Sequence, residues 1–422
     1  MRWRHATRAE PCERTLRSPA AEQTVLVCAL IGTAQMTWGV TVPIMPLYLD
    51  SYGMAVGLLG PLVAAFAVGR IVANIPAGLA LRRLPARAYL RTVLLALAAV
   101  TALTGLATSA PALLAFRLAA GVLGGAAVTV GFALLVAGAP AERRGAAMAT
   151  ATVVQMSTAG AGALLGGAVV GLVGPAWTFA VAALPVLACL LWDAARPAAR
   201  YWSFGTTADR GTHRPLPGRR FGARPSWLLL ALCAEAFATF FVRFAGEQGL
   251  VPVLAYESGG LEPFTLGLAT AAGTVASLVA MPFIARWVDA GARVALLVPA
   301  GTAGAVAFLC LPFLHVPMGF AAAIVAYSLA TGVIGVLPGV ITGDAYPPAA
   351  AGGVIGFTRT AGDLGAALGP LAVFAVAGFA GYEAACAVLA TLFVVAAGGL
   401  VAALLRHRSL ATTTAAALAA AR

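Results

Sequence analysis

Seven charged residues lie inside stretches that are otherwise apolar, and their positions point to chemistry within a membrane. They are Arg70, Arg117, Glu235, Arg243, Glu247, Arg359 and Asp363. A charge at the centre of a bilayer costs at least ~2.5–3.5 kcal/mol, so such a side chain is normally turned towards a partner or a water-filled cavity. The four-residue spacing of Arg243 with Glu247, and of Arg359 with Asp363, predicts that each pair shares one helix face.

A carboxylate beside an arginine in a membrane interior can exchange a proton when substrate or a conformational change alters its surroundings. We therefore expect Glu247, partnered by Arg243, to couple proton movement to transport. We expect the same cavity to be lined by arginine and amide side chains near the middle of the membrane and by polar groups of the first apolar stretch. These further predicted residues are Arg70, Asn74, Gln35 and Trp38.

The same residues also have a structural interpretation. Ion pairs within one helix can hold a bundle together without touching substrate, and this alternative stays open for Arg359 and Asp363. Glu235 lies roughly 12 Å into its apolar stretch at 1.5 Å per residue. An alternative to a role in the membrane interior is that its side chain faces the neighbouring polar linker. For Trp38 and Gln35, contact with lipid or another helix is an alternative to a cavity role.

The composition of the chain requires a membrane environment. Of its 422 residues, 61% are hydrophobic and only 10% are charged, whereas soluble domains have about 45–50% apolar and about 25% charged residues. Twelve helices of about 20 residues each fit this length and leave room for loops, a linker and two tails. The six cysteines show no C-x-x-C spacing, so neither a disulfide framework nor a metal site is predicted.

Apolar stretches separated by proline, glycine and charge predict an all-α polytopic membrane protein with six helices on either side of a polar linker. The predicted helices cover residues 23–49, 57–81, 88–108, 111–139, 145–173, 175–193, 227–256, 264–285, 293–314, 317–342, 353–379 and 382–405. The predicted organisation is a tail at 1–22, a six-helix bundle at 23–193, a linker at 194–226, a second bundle at 227–405 and a tail at 406–422.

The placement of arginine predicts how these helices are oriented. The net charge of +12 comes from arginine alone, because the sequence has no lysine, and the arginines concentrate in the tails, the linker and loops on one side. The opposite loops contain only acidic charges, namely Asp50, Glu257, Glu262 and Glu383. Because positive flanking charge is retained in the cytoplasm, both termini are predicted to be cytoplasmic in a multi-pass plasma-membrane protein. Topology and lipid headgroups thus explain the basic charge without a nucleic-acid partner.

An internal repeat relates the two predicted bundles. At an offset near 207 residues, Gly60 falls on Gly267 and Gly162 falls on Gly369. Two related six-helix halves place a binding site at their interface, near the middle of the bilayer.

Four stretches carry a resemblance to a known family. GLALRRLPAR begins at Gly78, RLAAGVLGGAA at Arg117, APAERRGAAMA at Ala139 and RTAGDLGAALGP at Arg359. In this order and spacing they resemble the motifs of the Major Facilitator Superfamily of transporters. The resemblance implies two pseudo-symmetric six-helix bundles, a small-molecule substrate, a functional monomer and no cofactor beyond a proton gradient. It also implies that Arg117 modulates the proton site.

The first of these stretches departs from the family, because Arg82 stands where the family has an acidic residue. In the family that carboxylate helps to hold the two halves together, and an arginine cannot make the same contact. The second copy, ARWVDAGAR, is expected to supply the contact, although Arg82 alternatively only adds positive charge on the inner side. The gating candidates from these stretches are Gly78, Arg82, Asp289, Arg293, Arg359 and Asp363.

Small residues in the fifth and eleventh stretches are the remaining gating candidates. GAGALLGG, which contains Gly162 and Gly166, resembles a motif of antiporters, although Ala163 replaces its proline. The corresponding part of the eleventh stretch contains Gly369 and Pro370. Small residues at this spacing let helices approach closely and slide. The resemblance favours export, whereas tight packing alone also explains the glycines.

The leading interpretation is a secondary active transporter that exports a small organic molecule or drug in exchange for protons by alternating access. An alternative is uptake of an anionic metabolite by proton symport, which the surplus of arginine favours. A polytopic membrane enzyme is a third interpretation. However, the four histidines lie in loops or tails, and the chain has no H-E-x-x-H or G-x-S-x-G motif, so no enzymatic activity is predicted.

Overall fold

The computed structural model describes residues 19–81, 83–138, 144–195, 227–346 and 348–420. Within these ranges the secondary structure is helical, with short turns and no β-strand. The long helices, in chain order, are α1 (Pro19–Ser51), α2 (Leu59–Ala80), α3 (Ala86–Thr104), α4 (Ala110–Gly138), α5 (144–173), α6 (175–194), α7 (Trp227–Glu257), α8 (Pro263–Asp289), α9 (Arg293–Cys310), α10 (Pro317–Ala345), α11 (348–380) and α12 (382–420).

Two glycines separate helices that would otherwise form continuous rods. The stretch Arg144–Ala194 breaks at Gly174 (φ 81°, ψ 166°), and Pro348–Ala420 breaks at Gly381 (φ 84°, ψ 171°). Glycine adopts these backbone angles without the steric cost that a side chain would add. Of the 10 helical stretches that are apolar enough to cross a membrane, the two longest have 45 and 54 residues, or ~68 and ~81 Å as straight rods. A hydrocarbon core is about 30 Å thick, so each of these stretches is two spanning helices, and the described chain has twelve.

The first half consists of α1 to α6 and the second half of α7 to α12. Each half has a buried apolar cluster, and the cluster of the first half also includes Phe244, Ala366 and Ala367 of the second. Two related contacts join the halves. α2 packs against α11, and α5 packs against α8. A Cβ atom placed on Gly60 of α2 would lie 2.9 Å from the carbonyl oxygen of Pro370. Gly267 of α8 faces the carbonyl oxygen of Ala163 in the same way. The sequence repeat relates these two contacts, as the pseudo-symmetric fold predicts.

The two ends of the bundle differ in charge, and we name them accordingly. The acidic end carries exposed carboxylates at the end of α1, at the end of α7, just before α8 and at the start of α12, namely Asp50, Glu257, Glu262 and Glu383. The basic end is the opposite one, where α1, α3, α5, α7, α9 and α11 begin.

The acidic end is closed by contacts between the halves. Buried apolar side chains from both halves form one cluster there, with Tyr48 and Phe179 from the first half and Phe374 from the second. The hydroxyl of Tyr256 in α7 also donates a hydrogen bond of 2.6 Å to the carbonyl oxygen of Pro43 in α1.

α7 is wound differently over its central part. Between the α-helical segments Trp227–Val242 and Val251–Glu257, residues Arg243–Leu250 form a π-helix. π-Helical turns are rare and occur frequently at functional sites. This segment carries both Arg243 and Glu247, so an irregular part of the backbone positions the predicted coupling residues.

The Tyr256 hydrogen bond predicts a conformational effect of the Tyr256→Phe substitution. Loss of one hydrogen bond costs about 0.5–1.5 kcal/mol, which increases the population open at the acidic end by roughly 2–10-fold. Electron–electron distance measurements between spin labels at Asp50 and Glu383 in nanodiscs check this shift. Tyr382→Phe is the matched control, because the Tyr382 hydroxyl contacts Glu257 within the second half. An unchanged distance distribution in Tyr256→Phe would contradict the assigned closure.

Candidate functional site

Four aromatic rings form a continuous ladder at the interface between the halves. Trp38 of α1 lies 6.3 Å from the ring of Phe66 in α2 and 5.7 Å from the ring of Phe244 in α7. Phe244 in turn stacks on Phe240 at 6.4 Å. Because Trp38 and Phe66 belong to the first half and the other two rings to the second, the ladder crosses the interface at Trp38.

Three of the predicted arginines stack on this ladder. The guanidinium carbon of Arg117 lies 4.9 Å from the centre of the Phe66 ring, that of Arg70 lies 5.6 Å from Phe244, and that of Arg243 lies 5.8 Å from Trp38. A cation over an aromatic face gains about 0.5–2 kcal/mol, more when water is excluded. The contacts of Arg70 with Phe244 and of Arg243 with Trp38 each join one half to the other. Aromatic rings therefore stabilise arginine side chains at the interface without a carboxylate being needed beside each arginine.

The predicted pair of Arg243 and Glu247 is formed within the π-helical segment. The Nε atom of Arg243 lies 3.3 Å from Oε2 of Glu247, and the two side chains are 30% and 23% exposed. Tyr327 of α10 interacts electrostatically with both members. The Tyr327 hydroxyl and the indole Nε1 of Trp38 are buried without a hydrogen-bond partner among the described residues. Two donors next to the ion pair are thus available to a bound molecule or water.

Asn74 lies at the centre of a second polar network, which also crosses the interface. Its Nδ2 atom donates a hydrogen bond of 3.1 Å to Oδ2 of Asp363 in α11, and its Oδ1 atom accepts one of 3.1 Å from Thr129 in α4. Asp363 is only 8% exposed, so the amide of Asn74 supplies a hydrogen bond that a buried carboxylate requires. The network holds α2 and α4 of one half to α11 of the other.

The predicted pairing of Arg359 with Asp363 is not formed, and this is a correction to the sequence analysis. Within the part of the chain that the structure describes, Arg359 makes no ion pair within 4 Å, and its side chain is exposed. Asp363 is turned towards Asn74 instead. An exposed arginine keeps its solvation, so an ion pair within α11 adds little free energy to offset the loss of the Asn74 hydrogen bond.

A cavity of about 280 Å³ adjoins this network in the half of the bundle nearer the basic end. α2, α4 and α11 line it, so both halves contribute. The lining residues are Asn74, Thr129, Phe132, Gly356, Arg359, Thr360 and Asp363. The cavity therefore lies in the part of the interface that is nearer the basic end.

The remaining charged and polar candidates in the membrane-spanning stretches, Arg117, Gln35 and Glu235, are not among the residues that line this cavity. Arg117 is 4% exposed and contacts Phe66, with no carboxylate within ion-pair distance among the described residues, so it reaches Glu247 only through the aromatic ladder. Gln35 is half-buried on α1, three residues before Trp38. Nearly all of the linker that Glu235 is alternatively expected to face lies outside the described residues. Glu235 itself is 1% exposed inside the second half, where Thr239 donates to it at 3.4 Å.

The predicted small-residue gating candidates lie at close helix contacts. Gly162 and Gly166 bring α5 against α1, and a Cβ on Gly166 would lie 2.6 Å from the carbonyl oxygen of Val40. Gly369 brings α11 against α7, where the corresponding distance to the Phe241 carbonyl oxygen is 2.7 Å. The carbonyl of Pro370 is the atom that Gly60 faces. These glycines permit backbone approaches that a side chain would prevent.

Among the described residues, Asp289 and Arg293 of the second copy do not form the expected contact between the halves. Arg293 pairs with Asp344 at the end of α10, and Asp289 is exposed. Gly78 is also exposed, with open space where a Cβ would lie, and Arg82 falls outside the described residues. The Arg293 contact joins two helices of the same half, so it does not hold the halves together in this conformation.

Several residues of the site were missed by the sequence analysis. Thr129, Tyr327 and Phe244 carry no motif, and their roles depend on which helices face one another. Phe66 also carries no motif, and its partner Arg117 lies on a different helix. At the basic end, buried Asp193 of α6 pairs with arginines of α3. Among the described residues no cluster of His, Cys, Asp and Glu could hold a metal ion.

Comparisons with known proteins agree with this architecture. A family model described as Major Facilitator Superfamily matches residues 27–244 and 236–419. A chloramphenicol resistance protein of Streptomyces lividans is 32% identical over 240 residues. That match covers 56% of this chain and 58% of the Streptomyces protein, so it spans little more than half of either.

Solved transporter structures share the fold. A bacterial homologue of the human lysosomal transporter Spinster, in an inward-facing and unoccupied conformation, has a TM-score of 0.65 and 16% identity over 92% of this chain and 96% of its own. The nucleoside transporter NupG has a TM-score of 0.68 and 12% identity, covering 90% and 99%. The E. coli xylose transporter XylE, inward open, has a TM-score of 0.68 and 14% identity, covering 88% and 94%. At these identities the likeness concerns the fold alone.

The contact of α5 with α1 predicts the effect of enlarging Gly162. A Gly162→Leu side chain would meet the backbone of α1 at Met36 and Val40, and overpacking of this kind typically costs about 1–3 kcal/mol. We expect a lower melting temperature of the purified protein in detergent. Gly339→Leu in α10 is the matched control, because nothing lies within 4 Å of a Cβ there. Equal melting temperatures for the two variants would contradict the assigned contact.

Proposed function

Because the chain belongs to the Major Facilitator Superfamily, and is therefore a membrane transporter, we propose that it exports a small organic molecule in exchange for protons. The observation that carries this proposal is the ion pair of Arg243 and Glu247, which lies at the interface between the halves and beside Trp38 of the opposite half. The proposed unit is a monomer in the plasma membrane with both termini cytoplasmic, driven by the proton gradient without another cofactor.

Protonation of Glu247 changes what Arg243 can bind. With Glu247 ionised, the pair has no net charge, and Arg243 is held between the carboxylate and the Trp38 ring. With Glu247 protonated, Arg243 keeps an uncompensated charge, which is costly in a membrane interior unless water or a ligand reaches it. A proton therefore favours a hydrated interface, and its loss favours a closed one, which links protonation to movement of the halves.

The conformation of the protein is consistent with loading from the basic end. The acidic end is closed by the Tyr256 contact and the apolar cluster around Tyr48, whereas the cavity adjoins the interface on the basic side. If the basic end is cytoplasmic, as its arginines predict, this is the conformation in which an exporter takes up its cargo. The resistance protein of Streptomyces lividans, named for chloramphenicol, supports export.

A second candidate function is uptake of an anionic metabolite by proton symport. The interface favours it because Arg70 and Arg359 both lie near the single carboxylate of Asp363, without an ion pair to it among the described residues. The two functions differ in the direction of net flux, and transport with gradients of either sign distinguishes them.

Glu247→Gln tests the proposed coupling. In proteoliposomes with an imposed pH gradient and labelled chloramphenicol as the first probe, we expect at least tenfold slower gradient-driven flux, because the amide cannot exchange a proton. Substrate counterflow without a gradient should persist, because the cavity is intact. Glu383→Gln, at the exposed acidic end, is the matched control and should resemble the wild type.

Undiminished gradient-driven flux in Glu247→Gln would overturn the coupling role of this residue. Net movement of a labelled organic acid in the same direction as the protons, rather than in the opposite direction, would support uptake by symport in place of export.

A further inference from the structure

The cavity between α2, α4 and α11 has the composition of a binding site for an organic anion. We infer that it binds the carboxylate or phosphate group of an organic acid, with Arg359 as the charged partner. This inference names the substrate class of the proposed transporter and rests on that function. The volume of about 280 Å³ fits a molecule built on one ring, at the small end of ordinary ligand pockets.

Arg359 is the cation that the cavity presents to a ligand. Its side chain lines the cavity and is exposed, and within the described ranges it makes no ion pair. The guanidinium fork matches the two oxygens of a carboxylate or phosphate, and such charge-assisted pairs are stronger than neutral hydrogen bonds.

The other charges nearby do not cancel this preference. The carboxylate of Asp363 is buried and already accepts a hydrogen bond from Asn74. Arg70 interacts electrostatically with both Asp363 and Arg359, and Arg243 is paired with Glu247. Two arginines therefore accompany one engaged carboxylate, so the cavity attracts an anion and repels a cation.

The rest of the lining suits the uncharged part of such a molecule. Phe132 contributes an aromatic ring to the lining, and no atom lies within 4 Å of a Cβ placed on Gly356, so there is open space beside this glycine. The hydroxyl of Thr360 donates to the Gly356 carbonyl and keeps its lone pairs for a ligand hydroxyl or amide. Because Phe132 belongs to the first half and Arg359 to the second, a bound acid contacts both halves.

Equilibrium binding tests the inference without depending on transport direction or proton coupling. Isothermal titration calorimetry of the full chain in nanodiscs compares benzoate, salicylate and phenyl phosphate with the neutral amides benzamide and salicylamide. At least one acid is expected to bind ten or more times more tightly than its neutral counterpart. Arg359→Gln should weaken that binding at least tenfold, and Arg359→Lys should weaken it less.

Arg286→Gln is the matched control, because Arg286 is an exposed arginine of the basic end that does not line the cavity. The melting temperature of each variant establishes that it is folded. Equal binding of acids and amides, unchanged acid binding in Arg359→Gln, or no binding of any of the three acids would each overturn the inference. If the acids bind through Arg359 but no proton-driven flux is found, the coupling mechanism fails while the anion site stands.

Discussion

The free-energy cost of a charge in a bilayer is the constraint on which the rest of this structure depends. Three ionisable side chains between the two halves are each stabilised by a specific contact, an ion pair for Arg243, an aromatic face for Arg70 and an amide donor for Asp363. The contacts of Arg70 with Phe244, of Arg243 with Trp38 and of Asp363 with Asn74 cross from one half to the other, so they form only while the halves keep their present arrangement. A movement of the halves that breaks them must bring water or a ligand to the charges.

A symmetric scaffold carries this asymmetric chemistry. The repeat brings Gly60 and Gly267 to equivalent close contacts between the halves, as rocking of two bundles around a central site requires. The same offset relates Arg243 to Met36 and Glu247 to Val40, so the first half has no counterpart of the ion pair. The π-helical segment that carries the pair likewise occurs in α7 and not among the described residues of α1.

Patterns within single helices predicted part of the fold and part of the site, whereas contacts between helices could not be predicted. Hydropathy and the glycine breaks gave the helices, and four-residue spacing gave the Arg243 pair, because both depend on neighbouring residues of one helix. The Asn74 hydrogen bond to Asp363 and the Arg117 contact with Phe66 depend on which helices face each other and at what rotation. The same spacing therefore predicted a pair for Arg359 that the structure replaces with a contact from another helix.

The central claim is that the charged face of α11 lines a wet interface rather than lipid, and thiol accessibility tests it most directly. In a cysteine-free background in nanodiscs, Thr360→Cys lies in the cavity, while Leu368→Cys lies on an exposed apolar surface roughly 80° around the same helix. The account predicts that a water-soluble thiol reagent modifies position 360 at least ten times faster than position 368. Equal rates, or protection of position 360, would contradict it.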